Sequence, residues 1–292
     1  MAADGLAGAA VVTPPALRQH TIWLLAPAFA MLALVFLLPL VLFLVRALPG
    51  GWSAGEPSAS LGEVIASRPM LVAMTTTNWI ALLVTSVVLL IGYPVAYYLC
   101  TSGRLRFTAV IFCVVVPYFT SIIVRTYSLM VLLGRDGLIN QALLGLGVVS
   151  APLPLLYNKL AIVIGMTYVL LPYMVLTLYA AMRAIDPDLL RAACGMGASG
   201  LYAFRRIYLP LSLHGIISGA LIVFILAIGF FITPALMGGP SDVTVAMLVE
   251  RAVEITLDWR AAAAMSLVLL AATLVLYGVY CRVTDLHRLM QG

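Results

Sequence analysis

Few side chains in this sequence can do chemistry, and they fall into small sets. The first is the segment "DPDLLRAACGMGASGLYAFRRIYLP" (186–210), where Asp186, Asp188, Arg191, Arg205 and Arg206 flank a small-residue, glycine-broken centre. Ala192, Ala193, Gly195, Gly197 and Ala198 keep that centre slim, so backbone can approach a partner closely. This mixture suits docking rather than catalysis, although an amphipathic loop resting on a membrane surface has the same composition. The second is Arg125, inside an otherwise apolar run. An arginine there is costly and is a functional candidate, to orient a substrate or a neighbouring segment, or else it snorkels toward headgroups. The third is Glu250, Glu254 and Asp258, whose four-residue spacing puts them on one helical face on the outer side. They can attract a cationic solute, bind basic residues of a docking protein, or simply face water. The fourth is aromatic: Tyr93, Tyr97, Tyr118, Tyr127, Tyr168, Tyr173, Phe230 and Phe231 can line a path for an organic cation or pack.

Other chemistry finds no footing. No GxxxxGK[ST] occurs, so the chain has no standard phosphate-cradling loop for ATP. Cys100, Cys113, Cys194 and Cys281 show no CxxC or metal-type spacing, and His20, His214 and His287 fall at segment ends. No acidic residue occupies the centre of an apolar segment, which argues against a self-contained membrane enzyme; a channel would need a pore-lining polar repeat, and none is visible.

The elements that must hold these residues follow from composition. The 292 residues are 64% hydrophobic and 9% charged, against about 25% charged in soluble domains. The apolar runs are long and continuous rather than alternating, which excludes a β-barrel and predicts an all-α polytopic membrane protein. Six segments can each cross ~30 Å of hydrocarbon, near 22–45, 71–99, 108–133, 160–183, 212–236 and 260–282. Residues 1–21 form a tail, 22–283 the membrane domain and 284–292 a second tail. The net charge of +5 is a topology signal, not a nucleic-acid signature. Arg18, Arg104, Arg106, Arg183, Arg191, Arg205, Arg206, Arg282 and Arg288 outnumber Arg46, Arg68, Arg135, Lys159, Arg251 and Arg260 on the opposite side. Both termini and the loop 184–211 are therefore expected in the cytoplasm, with Asp136 and Asp242 outside. "GRDGLINQALLGLGVV" and "TVAMLVERAVEITLDW" read as short amphipathic helices outside or at the interface. Pro117, Pro172 and Pro234 can each kink a span, and the GxxxG of Gly215 and Gly219 favours close helix packing, for which a second membrane chain is one partner.

Within 184–211, Asp186 caps a helix with Pro187 at its first position, and Ser199 caps a second. Leu201, Phe204 and Ile207 offer one apolar stripe, and Pro210 is expected to stop the second helix from joining the fifth span smoothly.

"RAACGMGASGLYAFRRIYLP" resembles the EAA loop of bacterial ABC-importer permeases, with Ala192-Ala193, Gly197, Ile207, Leu209 and Pro210 at that pattern's spacing. The likeness extends through "GYPVAYYL", "VPYFTSIIVRTYSLMVLL", "GMTYVLLPYMVLTLYAAMRAIDPDLL" and "GFFITPALMGGP" to spermidine/putrescine-type (PotB-like) permeases. The resemblance implies the type I importer fold and import of a small organic solute, a polyamine first, with an amino-phosphonate or opine-like solute as the alternative. It implies a second, PotC-like permease subunit, two ATPase subunits and an extracytoplasmic solute-binding protein. ATP and Mg would sit on the ATPases, and this chain would bind no cofactor, metal or nucleic acid. Asp188, Arg191, Ala192, Ala193, Gly197, Ala198, Ser199 and Phe204 would couple to an ATPase. Arg125, Tyr93, Tyr127, Tyr173, Phe230, Phe231 and Glu254 are the candidates for the solute path. Arg191 stands where the pattern has glutamate, so the coupling carboxylate is missing there, and Asp188 one turn earlier is a possible substitute.

Overall fold

The computed structural model describes residues 27–45 and 61–289. Every regular element among them is helical, because hydrocarbon offers no partner for backbone N–H and C=O groups and a helix satisfies them internally. The chain divides into two compact units, Met1–Glu56 and Pro57–Gly292. In the first, a π turn, Ala33–Leu37, leads into α1, Leu38–Val45. The apolar helical stretch Pro27–Phe43 is shorter than the expected first span; residues 22–26 of that span and the 1–21 tail lie outside the described residues.

The second unit begins with α2 (Leu61–Ala66), α3 (Arg68–Thr101) and α4 (Arg104–Val115). A 3-10 turn, Val116–Phe119, separates α4 from α5 (Ile122–Leu133), and α6 (Leu138–Gly145) follows. Next come α7 (Lys159–Arg183), α8 (Pro187–Gly195) and α9 (Gly200–Ala203), then a π turn at Phe204–Tyr208 and α10 (Leu209–Ile228). The unit ends with α11 (Ile232–Met237), α12 (Val245–Glu254) and α13 (Trp259–Leu289).

Four helical runs are long and apolar enough to cross a membrane: Arg68–Thr101, Lys159–Arg183, Gly200–Ile228 and Trp259–Gly278. The pair Arg104–Phe119 and Ile122–Gly145, bent by 106°, adds a fifth if it is one broken crossing. Two expected spans change accordingly. The segment 108–133 is not one helix: Pro117 falls in the 3-10 turn, and Thr120 (ψ 151°) breaks the run before Ser121. The segment 212–236 begins earlier and breaks earlier, with helix ending at Ile228 and restarting at Ile232. Glycine at 229 tolerates the break, and Pro234 fits the first turn of α11, where no N–H is needed. Pro172, by contrast, lies inside an unbroken α7.

The core lies where α3, α7 and α10 meet. On α7, Ile162, Met166, Leu170, Met174, Leu178 and Met182 recur every four residues and are all buried. On α3 the matching row is Ile80, Val84, Val88, Gly92 and Ala96. On α10 it is Gly215, Gly219, Val223 and Ala227. Rows at four-residue spacing form ridges that seat in a neighbour's grooves, and here Met174 of α7 faces Gly92 on α3 and Gly219 on α10. A Cβ on Gly219 would lie 2.8 Å from Met174 Sδ, and one on Gly92 would lie 3.0 Å from Met174 Cγ. A Cβ on Gly215 would overlap Ala181. The GxxxG face is therefore filled by α7 of the same chain, not left for another permease chain.

Candidate functional site

The segment 184–211 forms the expected helix, turn, helix. Asp186 Oδ1 accepts from the Asp188 N–H (2.9 Å) with Pro187 at the first position of α8, so the start is both capped and free of a wasted donor. Gly197 reverses the chain at φ +89°, a left-handed conformation that costs other residues about 1–2 kcal/mol. No atom lies within 4 Å of where its Cβ would stand, so space around the turn is open and only backbone conformation demands glycine. Ser199 Oγ then accepts from the Tyr202 N–H (3.3 Å) and starts α9. A concavity of about 610 Å³ runs along Ala193, Met196, Gly197, Ala198, Ser199, Tyr202 and Ile207. Met196, 83% exposed, and Leu201, 69% exposed, project beside it.

Three of the residues singled out here behave differently from expectation. Asp188 is not a free substitute for the missing glutamate: its carboxylate binds the Arg191 guanidinium at 2.9 Å, in an exposed pair one turn apart. Such a pair contributes little in water and opens readily on docking. Phe204 does not face outward with Leu201. Its ring stacks on Tyr208 (centroids 5.8 Å apart) and meets Tyr97 (5.4 Å) and Tyr93 (6.2 Å) edge-on. Pro210 does not interrupt the chain, because the π turn just before it, closed by the Leu209 N–H on Phe204 O, widens the backbone ahead of the ring. As a result α9, the π turn and α10 form one continuous helix, Gly200–Ile228.

Tyr93 belongs to this aromatic clamp. Ser212 donates to Leu209 O (2.9 Å), so the Tyr93 hydroxyl donates to Ser212 Oγ (3.0 Å) and ties α3 to α10. The sequence carried a signal for the clamp: Tyr93 and Tyr97, then Phe204 and Tyr208, are two aromatic pairs at four-residue spacing, each on one helix face.

The other cluster surrounds the two helix breaks. Thr126 donates to Ile122 O (2.9 Å), so the Thr233 hydroxyl donates to Thr126 Oγ1 (3.3 Å), joining α5 to α11. Gly165 of α7 leaves room for Thr233, whose Cγ2 lies 2.5 Å from where a Cβ would stand. Arg125, next to Thr126, is only 9% exposed, and its Nε and Nη1 have no hydrogen-bond partner. Tyr173 packs edge-on against Tyr118 at 5.5 Å and lies within electrostatic reach of the Arg125 guanidinium. Tyr127 is 53% exposed on α5. Phe230 and Phe231 are half-buried in the second break.

The acidic trio separates. Helix α12 ends at Glu254, and Leu257 (φ +55°) turns the chain, so Asp258 shares no helical face with Glu250 and Glu254. Instead Asp258 Oδ1 accepts from the Arg260 and Ala261 N–H groups (3.1 and 2.9 Å) and caps α13. Glu254 stays exposed. Two structural residues lacked any spacing signal. Asn140 is fully buried, donating to Gly134 O and Leu153 O (both 3.0 Å) and accepting from the Leu153 N–H (2.9 Å). Asp242 is buried, accepting from the Gly239 N–H (3.2 Å) with Lys159 Nζ 4.0 Å away.

Among the described residues no group of three or more His, Cys, Asp or Glu could hold a metal. The described residues make a helical membrane bundle in which an exposed helix–turn–helix leads into the long apolar helix Gly200–Ile228. Residues 21–283 match the binding-protein-dependent transport system inner membrane component family, and the chain belongs to it. It is a permease subunit of an ABC importer, a multi-pass inner-membrane protein and not an enzyme. The chain is similar to the spermidine/putrescine transport system permease protein PotB of Escherichia coli (strain K12), 35% identical over 206 residues, 70% of this chain and 75% of that one. To the Haemophilus influenzae PotB it is 36% identical over 202 residues, 69% and 71% of the two chains. A chain of the bacterial alginate ABC transporter, solved with an alginate pentasaccharide-bound periplasmic protein, shares the fold with a TM-score of 0.65 at 17% identity, covering 90% of this chain and 93% of that one.

Proposed function

We propose that this chain forms half of the translocation pathway for a polyamine such as putrescine or spermidine, with 184–211 as the segment that engages a cytoplasmic ATPase. The observation that carries the coupling role is the continuity of Gly200–Ile228, which makes the docking loop and the span one lever. Two ATPase subunits closing on ATP and Mg would displace α8 and α9, and the lever would tilt α10 against α7. A second, PotC-like permease subunit completes the path, and a binding protein delivers the solute from outside; the PotB relatives support the solute class. Both termini lie in the cytoplasm, and six crossings follow if α4 with α5 and the first unit each count as one. The contact surface is the concavity at Ala193, Gly197, Ala198 and Ser199 with Ala192 and Arg191 on its exposed side, while Phe204 acts from inside by holding the lever on α3.

The test is ATP-dependent putrescine uptake by vesicles carrying the complete transporter, with recovery of the ATPase on this chain measured alongside. Gly197→Trp should insert normally yet lose ATPase recovery and uptake together, since both the left-handed turn and the open space are removed. Normal uptake by that variant would exclude the docking role. A solute bearing an acidic group is the second reading, favoured by one observation, the unpaired Arg125.

A further inference from the structure

The start of α5 is an open helix end. Ser121 at its N-cap makes no side-chain cap, and the N–H groups of Ile122, Ile123 and Val124 precede the first intrahelical bond, that of Arg125 N–H to Ser121 O at 3.0 Å. A helix start with free N–H groups attracts anions through those donors and the helix dipole. Arg125 occupies the same turn, and side chains on a helix lean toward its N-terminus. The guanidinium is within electrostatic reach of Tyr173, whose ring packs on Tyr118 in the turn just before the break, so it lies toward that end of α5. More than nine-tenths of the residue is buried, and both Nε and Nη1 are buried donors without an acceptor. A guanidinium held this way is unfavourable until an acceptor arrives, and its fork matches the two oxygens of a carboxylate.

We propose that Arg125 and the uncapped start of α5 form a binding site for a carboxylate. A diamine offers two donors and positive charge to a site made of donors and positive charge, so a polyamine cannot fill it. The carboxylate comes either from the solute, which would then carry an acidic group beside its amine, or from the second permease subunit, which would neutralise Arg125 before a cation passes. This site rests on the permease reading above. Beside Arg125, the Thr126–Thr233 hydroxyl pair ties this turn of α5 to α11.

The experiment uses the complete purified transporter, with phenylglyoxal modification of Arg125 read by mass spectrometry of its peptide. Protection is measured with no addition, with putrescine, and with 4-aminobutyrate, in which a carboxylate replaces one ammonium carbon of the same four-carbon chain. Recovery of the second permease subunit on the wild type, Arg125→Lys and Arg125→Gln is measured in parallel, normalised to the amount of this chain in the membrane. Modification that 4-aminobutyrate suppresses at least tenfold and putrescine does not would identify the solute as the source. Protection with no addition, together with an at least tenfold loss of the second subunit from Arg125→Gln and a partial loss from Arg125→Lys, would identify the subunit. Two results would overturn the site: modification that neither compound suppresses, or protection with no addition while Arg125→Gln retains the second subunit at the wild-type level. Failure of the wild-type chain to recover any ATPase would count against the permease reading instead, and the protection pattern at Arg125 is read independently of it.

Discussion

Gly197 and Arg191 contribute to the turn at 184–211, the proposed docking segment, in different ways. At Gly197 the demand is conformational, φ +89° with empty space beyond. Gly197→Ala should therefore destabilise the turn by about 1–2 kcal/mol without a clash. Uptake should fall several-fold while membrane insertion stays normal, and an unchanged rate would show that the turn tolerates an L-residue. Arg191 holds only an exposed ion pair with Asp188. Replacing it with glutamate breaks that pair and places two carboxylates one turn apart on a solvated face, a small cost. Arg191→Glu should keep or raise ATPase recovery, since it restores the residue type of the EAA pattern and frees Asp188. A large loss of recovery would show that this transporter's ATPase groove was adapted to the arginine.

The continuous helix from Gly200 to Ile228, the lever of the proposed coupling, depends on contacts along its length. At its foot, Phe204 and Tyr208 clasp Tyr93 and Tyr97; each aromatic contact contributes roughly 0.5–1.5 kcal/mol beyond its burial. Phe204→Ala should leave ATPase subunits bound but let the foot slip on α3, so ATP hydrolysis continues while uptake drops. The ratio of solute moved to ATP hydrolysed measures this, and an unaltered ratio would remove Phe204 from the coupling path. Higher up, Gly219 meets the Met174 thioether and Gly215 meets Ala181. Gly219→Leu forces a side chain into a filled groove, and overpacking of that kind costs about 1–3 kcal/mol or more. The variant should show lower thermal stability in detergent than Gly278→Leu, whose site has nothing within 4 Å.

For the molecule as a whole, the side that each loop occupies decides whether the proposed lever points at an ATPase. Single cysteines in a background lacking the native ones should be labelled from outside at Asp136 and from inside at Met196, which are both exposed. Asp242 is a poor reporter because it is buried against Gly239 and Lys159; Ser241, exposed beside it, is the position to label for the loop before α12. Labelling of Ser241 from the cytoplasm alone would reverse the topology and with it the proposed docking role of 184–211.

Much of this was legible in the residues themselves. Hydropathy alone called for a helical membrane bundle, because only internally bonded backbone survives in hydrocarbon. The caps at Asp186 and Ser199 and the turn at Gly197 followed from local chemistry, since a cap and its N–H groups lie within three residues of each other. What sequence could not decide depends on which helix lies across from which. The spacing of Glu250, Glu254 and Asp258 looked like one face until Leu257 turned the chain. Pro210 read as a stop until a π turn absorbed it, and Phe204 read as exposed until two tyrosines of α3, more than a hundred residues earlier, covered it. The breaks at 119–122 and 229–232 also needed the tertiary structure. Only there do Thr126 and Thr233 meet, and only there does Arg125 become a buried guanidinium without an acceptor. Local hydrogen bonds are written in neighbouring residues; burial and pairing are set by contacts between residues far apart in the chain.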